Sequence, residues 1–456
     1  MAVWLIVLTG ILCAVAWWLY TRRLVRQFTH IESQLSKLTQ QQQIDRVAGK
    51  AVMRQLYKIL HTSLTDGQAA DTYRALDLLK LALGHGLGRD GEPARLTSVV
   101  YLALRTNRLD AAGHCIDAFR PLLKNMTEME LPTAIEQLAL IAVMSLKQRQ
   151  NFLAARAVEL IFFGIGISDD AVRTAVSRAI RLAGLTALRR QDIGLVREIQ
   201  AKIVSWLAAE PIDSPIHEQV AWVLTAWLHQ VVKAGNVPMF ELVTQYIDQL
   251  TEKKILSEKA LASIIVECAH LSGMDSLNPC SQLSGQIAMF SLELAVEIRS
   301  ISIWRQSLDG VMQAARLTVN QRSLTESFTV IYPLFEIGRR LLAAELTAAP
   351  RQDLFRQKAL YILIRECLQL VEFVARQNFT TTIADIIEQI YQEWIKRQAY
   401  AGQHKSIKRF CQLLFLYCTR IKRRQKGIIA EAGGFNDKSV ISAVNHEHLK
   451  QLGYLY

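Results

Sequence analysis

Five stretches decide the fold: RTNRLDAAGHCIDAF (105–119), RQNFLAARAVELIF (149–162), RQDIGLVREIQAKIV (190–204), AGNVPMFELVTQYI (234–247) and SLNPCSQLSGQIAMF (276–290). Each sets a short polar turn carrying Asn or Asp before a run whose apolar residues recur at three and four, the period of an amphipathic helix. With the outer members added, the turn residues are Asp66, Asn107, Asn151, Asp192, Asn236, Asn278 and Asn320, at gaps of 41, 44, 41, 44, 42 and 42. A turn between antiparallel helices must cap the second one. An Asn or Asp side chain does so by accepting hydrogen bonds from the free N–H groups. Pro279, directly after Asn278, suits a first helical turn, where its missing N–H costs nothing.

Working outward, Leu76, Leu79 and Leu83, or Leu224, Leu228 and Val231, keep the helical spacing between the turns, and no alternating strand pattern or hairpin signal interrupts them. The prediction is an all-α chain whose body, residues 63–349, is an α-solenoid of stacked helix pairs with a period of about 42 residues. The Asn107 unit, with Leu109, Ala112 and Ile116, resembles the second half of a tetratricopeptide motif. The period is longer than that family's, and the small-residue signature of its first helix is absent. Over about residues 66–345 the chain therefore resembles helical-repeat proteins of the tetratricopeptide and HEAT kind in general, without matching a particular family. The period lapses after Asn320: the next turn would fall near 362, inside the apolar run ALYILIREC (359–367). Pro350 restarts the chain, which gives a C-terminal helical block over 350–427 and a looser tail over 428–456.

The composition agrees with wide helix burial. Of 456 residues, 51% are hydrophobic and 21% charged, and mean hydropathy is +0.15. That excludes a disordered chain. Seven cysteines without spaced pairing exclude a disulfide scaffold and suit a reducing compartment. Ala2 to Tyr20 carries no charged side chain, and nineteen helical residues reach roughly 28 Å, about the thickness of a bilayer core. Trp17, Trp18 and Tyr20 stand where an aromatic belt would lie, and Arg22, Arg23 and Arg26 follow at once. No basic residue precedes the segment, unlike a signal peptide. The expectation is a transmembrane anchor over 1–21, N-terminus out, and a single-pass protein with its body in the cytoplasm, as in a bacterial inner membrane. A juxtamembrane stalk helix over 22–62 comes next. In it Phe28, Ile31, Leu35 and Leu38 recur at 3, 4 and 3, an a/d seam only two heptads long. The seam reads as a stalk face or as a site of weak self-association.

Net charge is +12, and residues 394–430 carry ten basic side chains and no acidic one. Lys405, Lys408, Arg409, Arg420, Lys422, Arg423, Arg424 and Lys426 are the candidate contacts to an acidic partner or lipid, with nucleic acid as the alternative. Reactive constellations are lacking. His446-Glu447-His448 is the one dense group of metal-ligand types. His114 and Cys115 are adjacent on a helix and point about 100° apart, so they form no dyad by themselves. Gly84-His85-Gly86-Leu87-Gly88 follows a helix and lacks the Lys-Ser/Thr pair of a phosphate loop. Asp169-Asp170 reads as an N-terminal helix turn. The Asn125 and Asn378 sequons fall on the cytoplasmic side of the expected topology. No catalytic residue, cofactor or metal is expected, and the chain is not read as an enzyme. The functional expectation is a membrane-anchored cytoplasmic helical-repeat scaffold or adapter that tethers a partner protein at the membrane. The alternative is a membrane-tethered nucleic-acid-binding module using the C-terminal basic cluster.

Overall fold

A computed structural model describes residues 2–40, 46–87, 91–163, 169–274, 281–321, 329–341 (except 335 and 339) and 354–376. The C-terminal basic cluster, Asn378 and the His446–His448 group lie outside the described residues. Among those described there is no strand. The chain divides into two compact units, Met1–Trp206 and Leu207–Tyr456.

In the first unit a long helix, α1 (Ala2–Gln40), precedes two layers. Layer A holds α2 (Arg46–Asp66), α4 (Glu92–Arg105), α7 (Leu131–Lys147) and α9 (Asp170–Arg190). Layer B holds α3 (Ala69–Gly84), the short pair α5 (Leu109–Asp117) and α6 (Phe119–Asn125), α8 (Asn151–Ile161) and α10 (Ile193–Ala209), whose last turn belongs to the second unit. Each A helix packs on the next A helix, and α3 packs against both α5 and α6. The reason is visible in the helix faces. Leu138, Ala142 and Leu146 of α7, and Val176, Ala183 and Ala187 of α9, are buried. Small residues in α9 allow its backbone to approach α7 closely. A helix with one apolar stripe alone has nothing to bury it against, so stacking supplies the core.

The turns between A and B helices share one geometry. Gly67, Asn107, Arg149, Gln191 and Gly235 all have positive φ, between 56° and 76°, at spacings of 40, 42, 42 and 44. The next N–H in each case reaches back five residues: Gln68 to Ser63, Arg108 to Ala103, Gln150 to Ser145, Asp192 to Ala187 and Asn236 to Val231, at 2.8–3.1 Å. This is the left-handed helix stop, in which one residue reverses the chain and satisfies carbonyls at the helix end. Side-chain capping by Asn or Asp is added at two of them. Asp192 Oδ1 accepts from Leu195 N–H and Asn236 Oδ1 from Met239 N–H, both at 3.1 Å. Elsewhere the sequence signal and the physical cause separate. Asp66 is the last residue of α2, Asn107 is the reversing residue itself and Asn151 is the first residue of α8. Asn278 lies outside the described residues, and residue 320 is inside α15.

The period is also written in polar contacts between neighbouring repeats. Arg108 Nη2 donates to Gly67 O at 3.3 Å, Asn125 Nδ2 to Leu83 O at 2.8 Å and Arg190 Nη2 to Lys147 O at 3.4 Å. Arg120 pairs with Glu159 at 3.0 Å and Arg156 with Asp117. Carbonyls that a helix end leaves without an internal partner are thus met from the following repeat.

The expectation of a transmembrane helix over 1–21 is corrected. Among the described residues no helix is long and apolar enough to cross a membrane. α1 does not stop near residue 21 but runs unbroken to Gln40. The second half of α1 docks on the unit's own layers. Phe28, Ile31, Leu35 and Leu38 are all buried, and α1 packs against α2 and α3. Arg74 of α3 lies over the Phe28 ring at 4.8 Å and pairs with Glu32 at 2.8 Å. The a/d seam is consumed inside the chain.

In the second unit, α11 (Ile216–Lys233), α13 (Glu258–Met274), α15 (Ile301–Gln321) and α16 (Leu354–Arg376) pack in succession as one layer. α12 (Val237–Glu252) and α14 (Ser281–Ile298) pack together beside them. Trp227 and Trp304 are completely buried, and Trp304 Nε1 donates to Ala359 O at 3.1 Å. α13 and α15 cross closely because Gly310 faces Ala269. A Cβ built on Gly310 would come within 2.7 Å of the Ala269 Cβ.

Candidate functional site

Numbering each A helix backward from its reversing residue brings equivalent positions into register. The exposed face of the first unit's layer A then falls into rows. Thirteen residues before the turn stand Arg54, Ala94, Glu136 and Arg178. Nine before it stand Lys58, Ser98, Leu140 and Leu182, and six before it His61, Tyr101, Val143 and Leu185. Two before it stand Thr65, Arg105, Lys147 and Arg189. All of these are exposed except Val143 and Leu185, which are half-buried. Leu102 and Met144, five before the turn, are half-buried too.

Two features emerge. An apolar band crosses α4, α7 and α9 through Tyr101 and Leu102, then Leu140, Val143 and Met144, then Leu182 and Leu185. Tyr101 and Leu140 are each 45% exposed and Leu182 is 41% exposed, although each stands on a helix whose core stripe is already filled. A solvated helix face normally carries polar residues there. One edge of the band is a cationic row, Arg105, Lys147 and Arg189, in the last turn of each helix. Arg105 leans over the Tyr101 ring at 5.8 Å. A cation in the last turn is favoured by the helix dipole, which explains that row but not the leucines beside it. The α2 end of the face is basic, with Lys50, Arg54 and Lys58 exposed at four-residue spacing.

Residues 1–206 hold 26 Lys and Arg against 17 Asp and Glu, net +9, and residues 207–456 hold 27 against 24, net +3. On the second unit's equivalent face Trp222, thirteen residues before Gly235, is exposed, and ion pairs stand beside it. His229 contacts Glu267, and Lys259 pairs with Glu218 at 2.6 Å. On α12 and α14, burial and the neighbouring Glu297, Glu293 and Glu252 push the Asp248 carboxyl up to about 6.

The other sequence candidates have structural places. Trp17 and Trp18 are exposed on α1, and Arg22 lies over the Trp18 ring at 4.8 Å. Tyr20 donates to Asp66 Oδ2 at 3.3 Å, while Arg23 and Arg26 are exposed. Lys405, Lys408, Arg409, Arg420, Lys422, Arg423, Arg424 and Lys426 lie outside the described residues. Cys115 is fully buried, and burial pushes its thiol up to about 12. Its neighbour His114 instead meets Lys80 Nζ at 3.1 Å and the Tyr73 ring, so the two are not a nucleophile and its base. Cys367 is likewise raised to about 12 by burial. Gly84 to Leu87 is a capped helix end. Gly86 has positive φ, and Leu87 N–H donates to Ala82 O at 3.0 Å. Asp169 caps α9 by accepting from Ala171 N–H at 2.7 Å and Val172 N–H at 3.1 Å. Among the described residues no three His, Cys, Asp or Glu side chains form a metal-binding group. A small groove of about 180 Å³ lies at the turn edge between Gly67 and Arg108.

Layers, turns and inter-repeat contacts define a helical-repeat protein. No family model and no curated protein matches the chain. One solved structure that it resembles is described as "Circular tandem repeat protein with novel repeat topology and enhanced subunit contact surfaces". That match has 13% identity and a TM-score of 0.34, and covers 90% of this chain and 99% of that one.

Proposed function

We propose that this protein is a helical-repeat scaffold that works by holding a partner protein, not by reacting with a substrate. The observation that carries this reading is the apolar band of α4, α7 and α9. The row six before the turn is apolar on all three helices (Tyr101, Val143, Leu185), and Leu140 and Leu182 share a second position that stays in solvent where folding does not need it. Apolar surface left contiguous in this way is characteristic of an interaction site, and stacked helices present such surfaces as extended platforms.

The test is photocrosslinking in the native cell. A benzophenone side chain at position 140 or 182 should give a discrete protein adduct, whereas the same group at Asp71 on layer B should give none. Absence of adducts at 140 and 182, or equal adducts at all three positions, would refute the reading.

A further inference from the structure

Resting on that reading, we propose that the band receives an acidic amphipathic segment of the partner, with its apolar side on Tyr101, Leu140 and Leu182 and its carboxylates facing Arg105, Lys147 and Arg189. The dimensions fit. Neighbouring helices in a layer sit about 8–10 Å apart, so the band from α4 to α9 extends roughly 20 Å, the length of an amphipathic helix of about 14 residues. Helix-in-groove recognition uses such a segment, with anchors on one face and charge along its flank.

Charge selects the occupant. The three residues two before each turn are all cationic, and on the exposed faces of α4 and α7 the acidic side chain is Glu136, at the far edge of the band. An acidic segment gains Coulombic attraction along the near edge, while a basic one meets three like charges. A segment of the composition of residues 394–430, ten basic side chains and no acidic one, is disfavoured on the same ground. Nucleic acid fits less well. Phosphates would lie over leucine, valine and methionine, and the band offers Tyr101 as its aromatic stacking surface, where single-strand binders present several. An anionic bilayer also fits less well, because Leu140 and Leu182 are less than half exposed and do not project as membrane-inserting side chains do.

The experiment uses the purified full chain and synthetic probes. One is a 14-residue leucine-faced helical peptide with glutamates along its flank. Its twin has lysines in their place. A scrambled glutamate peptide, a single-stranded oligonucleotide and vesicles of phosphatidylglycerol and phosphatidylcholine complete the set. The glutamate peptide should bind at least tenfold more tightly than its twin and than the scrambled form. The triple variant Arg105→Glu, Lys147→Glu, Arg189→Glu should reverse that preference, and the Gln triple variant should abolish it. All three substituted positions are exposed, and circular dichroism should show unchanged helicity. Equal binding of the two peptides, an unaltered preference in the Glu variant, or tighter binding of the oligonucleotide or vesicles at the same positions would overturn the proposal. Adducts from positions 140 and 182 would in that case still support a scaffold whose partner segment is not acidic. Loss of both results would remove the scaffold reading as well.

Discussion

Leu35→Ala separates the two uses of the α1 seam that the sequence leaves open. Leu35 is 1% exposed, on the face of α1 that packs against α2 and α3. Truncation removes three carbons and leaves a cavity between three helices, at a cost of about 2–5 kcal/mol. The Arg74–Glu32 pair beside it is about two-fifths exposed on both sides, so Arg74→Gln costs no more than about 1 kcal/mol. For a unit of about this size, 3 kcal/mol lowers the melting temperature by roughly 6–12 °C. The assay is thermal unfolding followed by circular dichroism, paired with sedimentation equilibrium. Leu35→Ala should show the large shift with no change in oligomeric state, and Arg74→Gln a small one. If Leu35→Ala left the melting temperature within about 1 °C and instead dissociated an oligomer, the seam would be an intermolecular contact and the packing of α1 described above would be wrong.

Three further outcomes are expected. Gln191→Gly should stabilise the first unit by up to about 1 kcal/mol in urea unfolding, because Gln191 holds φ 57°, a conformation that costs an L-residue about 1–2 kcal/mol and glycine nothing, offset by the greater unfolded-state freedom of glycine. Gly310→Val should destabilise the second unit by about 1–3 kcal/mol or more, measured in the same way, since its side chain must enter the contact with Ala269. Asp248→Asn should raise the melting temperature at pH 7.5 and leave it unchanged at pH 3.5. The folded carboxyl is raised from 3.8 to about 6, so the folded state holds the extra proton between those values. The stability it confers is complete below 3.8 and is lost as pH rises through 6.

Much of the architecture is legible in the amino-acid order because helix pairing leaves a regular trace: apolar residues at three and four, punctuated by turns. The mechanism of the turns is less legible. Gly67, Asn107 and Gly235 advertise a left-handed residue, but Arg149 and Gln191 do not, and there the fold imposes the conformation. The apolar outer band is hidden in the sequence for a related reason. In α7, LPTAIEQLALIAVMSLK is apolar on nearly every side, so Leu140 reads as one more core leucine. Only alignment on the reversing residue shows that Leu140 and Leu182 share a position on the outer face. The seam of α1 carries the right residues for either an internal or an external partner, and tertiary packing decides between them. The N-terminal apolar run reads as a span because local hydropathy carries no information on where the helix ends or what its second half touches.

The most direct measurement of the central claim is recovery of the crosslinked partner by the full chain carrying Leu140→Glu and Leu182→Glu. The account predicts that partner recovery falls at least tenfold while the melting temperature and helical signal stay at their wild-type values. Undiminished recovery, or a loss that appears only together with unfolding, would contradict it.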